Sequence, residues 1–293
     1  MEKNILSFLT KILHNRFGAG FRIKHSLPVG GGCISHARKL KTSHGTFFLK
    51  WNASCPDDLF VREAECLNAL RKNAGDGLLV PEVLLATENG SLPGFILMDY
   101  LEPGSVPKQD EKLGYGLAHL HRESGDKFGF SHNNYCGLTP QQNDWSDSWP
   151  AFFAENRLAY LVRLIRDNRG ISSADQKVYE MLIGKLPQLL PARSVPALIH
   201  GDLWSGNYLY TSRGPALIDP ASYYADREME LSIMTLFGGF SNRTWQAYQE
   251  SYPLENGWKE RVQLYQLYHI LNHYYLFGGH YGHQALLIAK KFS

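Results

Sequence analysis

The chain is predicted to be an α+β protein of two lobes, a small β-rich one followed by a larger, mainly helical one, with a cleft between them. Three observations predict it. From Phe21 to Leu101, strand-like runs alternate with tight turns around one helical segment. Beyond Leu101 the apolar period becomes helical, and the segment between the two regimes, "EPGSVPKQD" (102–110), is rich in Pro, Gly and polar residues. A chain of 293 residues with 44% hydrophobic and 20% charged side chains has enough apolar surface for two lobes. We place them at 1–101 and 102–293.

The elements follow in order. "MEKNILSFLTKILHNRFG" has apolar residues at Ile5, Phe8, Leu9, Ile12 and Leu13, a helical period that Lys11 interrupts too early for a signal peptide. "FRIKHSLPV", "GGGCISHARKLKT" and "TFFLKW" read as strands, the last two joined by an "SHG" turn. "DDLFVREAECLNALRK" is helical, with Leu59, Phe60, Ala64, Leu67 and Leu70 on one side, and "LLVPEVLLAT" and "GFILMDYL" complete five strands. In the second lobe, "EKLGYGLAHLHRES", "SWPAFFAENRLAYLVRLIRDN", "SADQKVYEMLIGKLPQLL" and "WKERVQLYQLYHILNHYYLFGG" read as helices. "FGFSHNNYCGLTPQQNDWSDS" reads as a long irregular loop of the kind that carries function.

Composition excludes several classes. Thirty basic and 28 acidic residues leave a net charge of +2 with no block of like charge, so neither nucleic acid nor an anionic membrane surface is an expected partner. No apolar run approaches the roughly 18 residues that span a bilayer. Cys33, Cys55, Cys66 and Cys136 are scattered without a C-x-x-C pair, which argues against a zinc knuckle and for a reduced, cytoplasmic setting.

The chemistry is concentrated in "ALIHGDLWSGNYLYTSRGPALIDPASYY" (197–224). Asp202 and Asn207 stand in the D-x-x-x-x-N spacing used in phosphoryl transfer, where the aspartate takes the acceptor hydroxyl's proton and the asparagine holds Mg2+. Gly201 and Gly206 are expected to let the loop turn tightly, and His200 to orient it by bonding backbone. "YLY" and "PALI" read as a hairpin that returns Asp219 beside Asn207, giving two oxygen donors suited to a hard cation. The first lobe adds a glycine loop over phosphates, with Gly31, Gly32, Cys33, Ile34 and Ser35 as its candidate contacts. Lys50 on the third strand is the candidate for the α- and β-phosphates. Glu63 is its candidate partner, since Glu65 points about 200° away on the same helix. "ILMDYL" is similar to an adenine-binding hinge, with Met98, Asp99, Tyr100 and Leu101 as its residues.

Taken together, "GGGCISHARK", Lys50, Glu63, "FILMDYL", "CGLTPQQN", "WPAFFAENRL", "HGDLWSGN" and "IDPASYYADREMEL" resemble the fructosamine kinase (ketosamine-3-kinase) family of the protein-kinase-like superfamily. His-Gly-Asp and Ile-Asp-Pro stand where protein kinases have His-Arg-Asp and Asp-Phe-Gly, no Ala-Pro-Glu follows, and Ser35 departs from the G-x-G-x-x-G loop. The resemblance implies a two-lobed protein-kinase-like fold with a nucleotide cleft, ATP and Mg2+. It implies transfer of the γ-phosphate to the 3-hydroxyl of a ketosamine on an amine or protein lysine, a deglycation repair.

Within that frame Trp204 is expected to wall the sugar, and Asp226 and Glu228 to brace the catalytic loop. The "LYHILNHYYLFGGHYGH" tail is divided between core and acceptor pocket, Cys33 is a candidate redox thiol, and the oligomeric state stays open between monomer and dimer. The rival readings are a kinase of the aminoglycoside or choline type and a nucleotide-binding pseudokinase.

Overall fold

The computed structural model describes residues 2–30 and 35–293. Helix α1 (Glu2–Phe17) turns Ile5, Leu9 and Leu13 inward at a spacing of four, as its sequence period requires. It packs on a five-stranded antiparallel sheet of β1 (Ile23–Pro28), β2 (His36–Thr42), β3 (Gly45–Asn52), β4 (Val83–Thr87) and β5 (Gly94–Asp99), in the order β1-β2-β3-β5-β4. Alternation along the strands assigns the two faces. Phe47, Leu49, Trp51, Phe95 and Leu97 point toward α1 and form one apolar core. Ile96 and Met98 point the other way and join a second core with α2 (Leu59–Asn73). Lys50, between Leu49 and Trp51, is therefore carried on the α2 face. That placement comes from the pleat alone.

The larger lobe begins with α3 (Gln109–Leu120) and a short hairpin of β6 (Asn134–Cys136) and β7 (Thr139–Gln141), lying within the segment expected to be irregular. Helix α4 (Trp149–Phe152) runs through a π-helical stretch (Phe153–Ala159) into α5 (Tyr160–Arg169), and α6 (Ser173–Leu189) follows. Strand β8 (Ala197–Ile199) pairs with β11 (Tyr223–Ala225), and β9 (Tyr208–Thr211) pairs with β10 (Gly214–Leu217). The chain closes with α7 (Arg227–Leu236), α8 (Asn242–Ser251), α9 (Trp258–Phe277) and α10 (Tyr281–Phe292).

The core that begins under α2 continues through these helices, so the lobes share apolar packing. Leu79, in the segment after α2, also exchanges backbone bonds with Pro215 and Leu217 at 2.9 Å.

Helices α7, α8 and α10 go beyond the sequence reading. "NRTWQAYQES" has no Leu, Ile or Val to mark a period, and its Trp and Tyr are the only large apolar anchors. It is held by α3, where Gly114 brings the two backbones together: a Cβ at that position would meet the Thr244 carbonyl oxygen at 2.3 Å. Gly114→Ala should therefore destabilise the fold although Ala is the better helix former by about 1 kcal/mol. Overpacking at such a contact costs about 1–3 kcal/mol, so the urea midpoint should fall. A midpoint that rises would show that the α3–α8 seam relaxes freely.

Candidate active site

A cleft of about 450 Å³ lies between the sheet and the helical lobe, with Lys50, Glu63, Asp202, Asn207 and Asp219 on its walls. Lys50 Nζ donates to both carboxylate oxygens of Glu63 at 3.0 Å and lies 3.1 Å from Asp219 Oδ1. Burial alone would lower its pKa, but the charges of Asp219 and Glu63 outweigh it and hold the ammonium well above its ordinary value. Burial raises Glu63, against the attraction of Lys50. Glu65, on the same helix, turns away to Arg62 at 3.0 Å and His132 at 3.3 Å.

The loop between β8 and β9 is fixed by backbone bonds. His200 is fully buried, and its Nε2 lies 2.8 Å from the Ile218 carbonyl. The Ala221 N–H donates to the His200 carbonyl at 2.9 Å. Gly201 has φ +87°, and a Cβ there would meet the Ala221 oxygen at 2.1 Å, so the turn requires glycine. Gly206 serves differently from its expected role. Its φ is unexceptional, and its missing side chain makes room for the Trp204 indole, which a Cβ would meet at 2.2 Å.

Asn207 Nδ2 donates to the Asp202 carbonyl (2.8 Å) and to Asp202 Oδ2 (3.2 Å), which turns its own oxygen the other way. The Ile218 N–H donates to the Asn207 carbonyl at 3.0 Å, so the β9–β10 hairpin sets Asp219 beside Asn207. Asp219 itself has φ +55°, a strained backbone for a residue with a side chain, held by the surrounding loop. Asp202 is partly buried, and burial together with the negative charges of Glu230 and Asp219 pushes its carboxyl up to about 8.

The expected brace of this loop is corrected. Asp226 caps α7 by accepting from the Glu228 N–H at 2.8 Å, and Glu228 pairs with Arg261 on α9 at 2.6 Å. The side chain that holds this loop is the fully buried Glu230, two residues further on, which accepts from the N–H groups of His200 and Gly201. Its signal was an acidic residue within the apolar run "MELSIM", where a carboxylate is buried only if it is bonded.

Met98, Tyr100 and Leu101 line the cleft, as does Asp99, whose Oδ1 accepts from the Glu82 N–H and so faces β4. Ser35 also reaches the cleft, whereas Gly31, Gly32, Cys33 and Ile34 lie outside the described residues. Trp204 is 40% exposed on the cleft wall, edge-on to Phe237 with ring centres 6.3 Å apart. Within the aromatic tail, Tyr265 and Tyr268 are core, His269 is buried 3.9 Å from Asp202 Oδ1, and His273 packs on Phe237 at 5.3 Å.

A lysine braced across a cleft from an Asp-x-x-x-x-Asn loop is the layout of kinase-like phosphotransferases, which use ATP as phosphate donor, and this chain is one of that class. More narrowly, residues 6–292 match the family described as fructosamine kinase, and the chain belongs to that family. A probable ketoamine kinase of Synechocystis is 40% identical, the match covering 94% of this chain and 92% of that one. A protein-ribulosamine 3-kinase of Arabidopsis thaliana is 37% identical over 89% of this chain and 80% of its own.

Among solved structures, a candidate fructosamine-3-kinase of Thermobifida fusca superposes with a TM-score of 0.81 at 30% identity, covering 92% of this chain and 94% of that one. An aminoglycoside phosphotransferase shares the fold at a TM-score of 0.64 and 16% identity, over 96% and 98% of the two chains. No helix among the described residues is long and apolar enough to cross a membrane.

Glu230→Ala should strand two buried N–H groups at about 1–3 kcal/mol each. A large fall in melting temperature, partly rescued in Glu230→Gln because the amide keeps one acceptor oxygen, is the expected result. Equal melting temperatures for all three proteins would remove Glu230 as the brace.

Proposed function

We propose that this protein transfers the γ-phosphate of ATP to the 3-hydroxyl of ketosamines, the sugar adducts formed on amines and protein lysines. The observation that supports this most strongly is that Lys50 grips Asp219 at 3.1 Å, so residues from both lobes, here taken as 1–101 and 102–293, meet at Asp219, which the β9–β10 hairpin sets beside Asn207.

In this reading Asp202 orients the acceptor hydroxyl and takes its proton. Burial and the charges of Glu230 and Asp219 make Asp202 more basic than usual, so in its ionised form the carboxylate accepts a hydroxyl proton more readily. Lys50, held charged by Asp219 and Glu63, braces the α- and β-phosphates, and Ser35 reaches them from the glycine loop, whose Gly31, Gly32, Cys33 and Ile34 are further candidate contacts. The adenine lies against Met98 and the 99–101 segment. Asp99 and Tyr100 already donate their N–H groups to Glu82 (2.9 Å) and Thr46 (3.1 Å), which leaves Leu101 as the hinge donor.

The donor set also fits a hard cation. Asp219 keeps its side chain 44% exposed toward the cleft, and Asn207 spends its amide nitrogen on Asp202, so both present oxygens of the kind that Mg2+ prefers. Bound there, Mg2+ would offset the charge of the β- and γ-phosphates. Trp204 walls the sugar, its exposed indole offering a flat apolar face to ring C–H groups or to the amine. A phosphate at C3 leaves far more readily than hydroxide. Enolisation of the adduct expels it, and hydrolysis then frees the amine.

Asp202→Ala should lower turnover by about 10²–10⁴-fold while Mg-ATP affinity stays near that of the parent protein. Asp219→Ala should instead lose Mg2+-dependent nucleotide binding. Phosphate transfer across a panel of ketosamines, with the modified carbon located by phosphorus and carbon NMR, tests the acceptor. Transfer to kanamycin in preference to every ketosamine would overturn it. Trp204→Leu should raise the acceptor KM with little change in the KM for ATP, and an unchanged acceptor KM would return Trp204 to a packing role.

A further inference from the structure

Beside Asp202 lie two further donors, Cys136 and His269, that phosphoryl transfer does not use. Cys136 Sγ at the end of β6, a ring nitrogen of His269 on α9 and a carboxylate oxygen of Asp202 all lie within 4.8 Å of one another. Cys136 and His269 are each 1% exposed. Neither ring nitrogen of His269 has a hydrogen-bond partner among the described residues, an uncommon state for a fully buried imidazole. Asn272, whose Nδ2 lies 3.3 Å from Cys136 Sγ, likewise has its Oδ1 unpartnered there.

From this geometry we propose that Cys136, His269 and Asp202 form a binding site for a thiophilic divalent cation, of which Zn2+ is the natural example, and that occupation of the site withdraws Asp202 from the acceptor hydroxyl and inhibits transfer. The inhibitory half rests on the role given to Asp202 above; the binding half does not.

The donor chemistry separates this site from the one at Asn207 and Asp219. Thiolate and imidazole favour Zn2+ or Co2+, whereas amide and carboxylate oxygens favour Mg2+. Zn–S and Zn–N distances of about 2.3 and 2.0–2.1 Å would require the three atoms to close by about 1 Å. The Asp202 side chain, 22% exposed, and the cleft-lining Tyr135 and Gly137, which flank Cys136, provide the way in. Three protein ligands leave a fourth position for water.

Protonation states agree with such a site. Burial, with His273 and Arg157 nearby, lowers His269 to about 3, so its imidazole is neutral with a free lone pair. Burial and the Asp202 charge raise the Cys136 thiol well above its usual value, while Arg157 works the other way. The cation must therefore displace the Sγ–H proton, and the Asp202 proton where that carboxyl is protonated; both leave to solvent as the bonds to the metal form.

Co2+ titration of the metal-free protein tests binding without reference to turnover. A thiolate-to-Co2+ charge-transfer band in the near ultraviolet is expected, present in Cys55→Ala and lost in both Cys136→Ala and His269→Gln. Absence of the band in the parent protein, or its survival in both variants with a normal circular dichroism spectrum, would sink the site.

Zn2+ at saturating Mg2+ should then inhibit the parent protein by lowering kcat with little change in the KM for ATP. Cys136→Ser should be on the order of 10–100-fold less sensitive. Equal sensitivity would place the inhibition elsewhere. Should no ketosamine be phosphorylated at all, the Co2+ spectrum would still report the site, so failure of the functional reading and failure of the metal site are distinguishable.

Discussion

The site is organised by one ammonium group. Lys50 is shared by Glu63 at 3.0 Å and Asp219 at 3.1 Å, which join β3, α2 and the segment after β10 across the cleft. Taking such charges out of water costs several kcal/mol per ion, and the mutual attraction repays it only where the geometry is tight. The contact is thus a poor source of stability and a demanding constraint on position. It requires the β3 pleat to send Leu49 and Trp51 to the α1 core and Lys50 to the opposite face. It also requires α2 to present Glu63 while Glu65 turns to Arg62 and His132.

Around that cation the balance is acidic. Glu63, Asp202, Asp219 and Glu230 lie close enough for their charges to act on one another, and the rise of Asp202 to about 8 is one result. A polyanionic triphosphate entering such a field gains little from a single lysine, so the site's charge balance is consistent with a nucleotide that arrives with its own cation. The loop tolerates the field because its shape does not depend on attraction between its own acidic side chains. The His200 ring on the Ile218 carbonyl, the Ala221 N–H on the His200 carbonyl and the two N–H groups gripped by Glu230 fix it from behind.

What the sequence revealed follows from how local each feature is. Asp202, Asn207 and Asp219 lie within 18 residues, a loop and a hairpin whose turn residues are visible, so their convergence could be read directly. Lys50 and Glu63 follow from strand and helix periods. Glu230 was missed because it acts across 30 residues, and Asp226 and Glu228 offered the same charge nearer at hand. The approach of Cys136 to His269 joins residues more than 130 apart, on a short hairpin and a late helix, and no local pattern encodes it. Helix α8 was invisible for a related reason, its fold being fixed by the close approach of Gly114 rather than by its own apolar period.

The acceptor side decides between relatives that share the fold. Aminoglycosides are polycations and call for carboxylates around the attacking hydroxyl. Here the surface next to Asp202 is aromatic: Trp204 meets Phe237, Phe237 meets His273, and His273 meets Tyr281 with ring centres 5.1 Å apart. Trp204 and Phe237 remain 40% and 45% exposed, an arrangement that costs hydration free energy unless a ligand covers it. A sugar ring has one apolar face of C–H groups and a rim of hydroxyls, so in the proposed reading it covers the indole while leaving a hydroxyl directed at Asp202. The kinase scaffold is thus common to both families, and in the proposed reading the rings placed beside its aspartate favour a sugar adduct with a single amine over a polyamine.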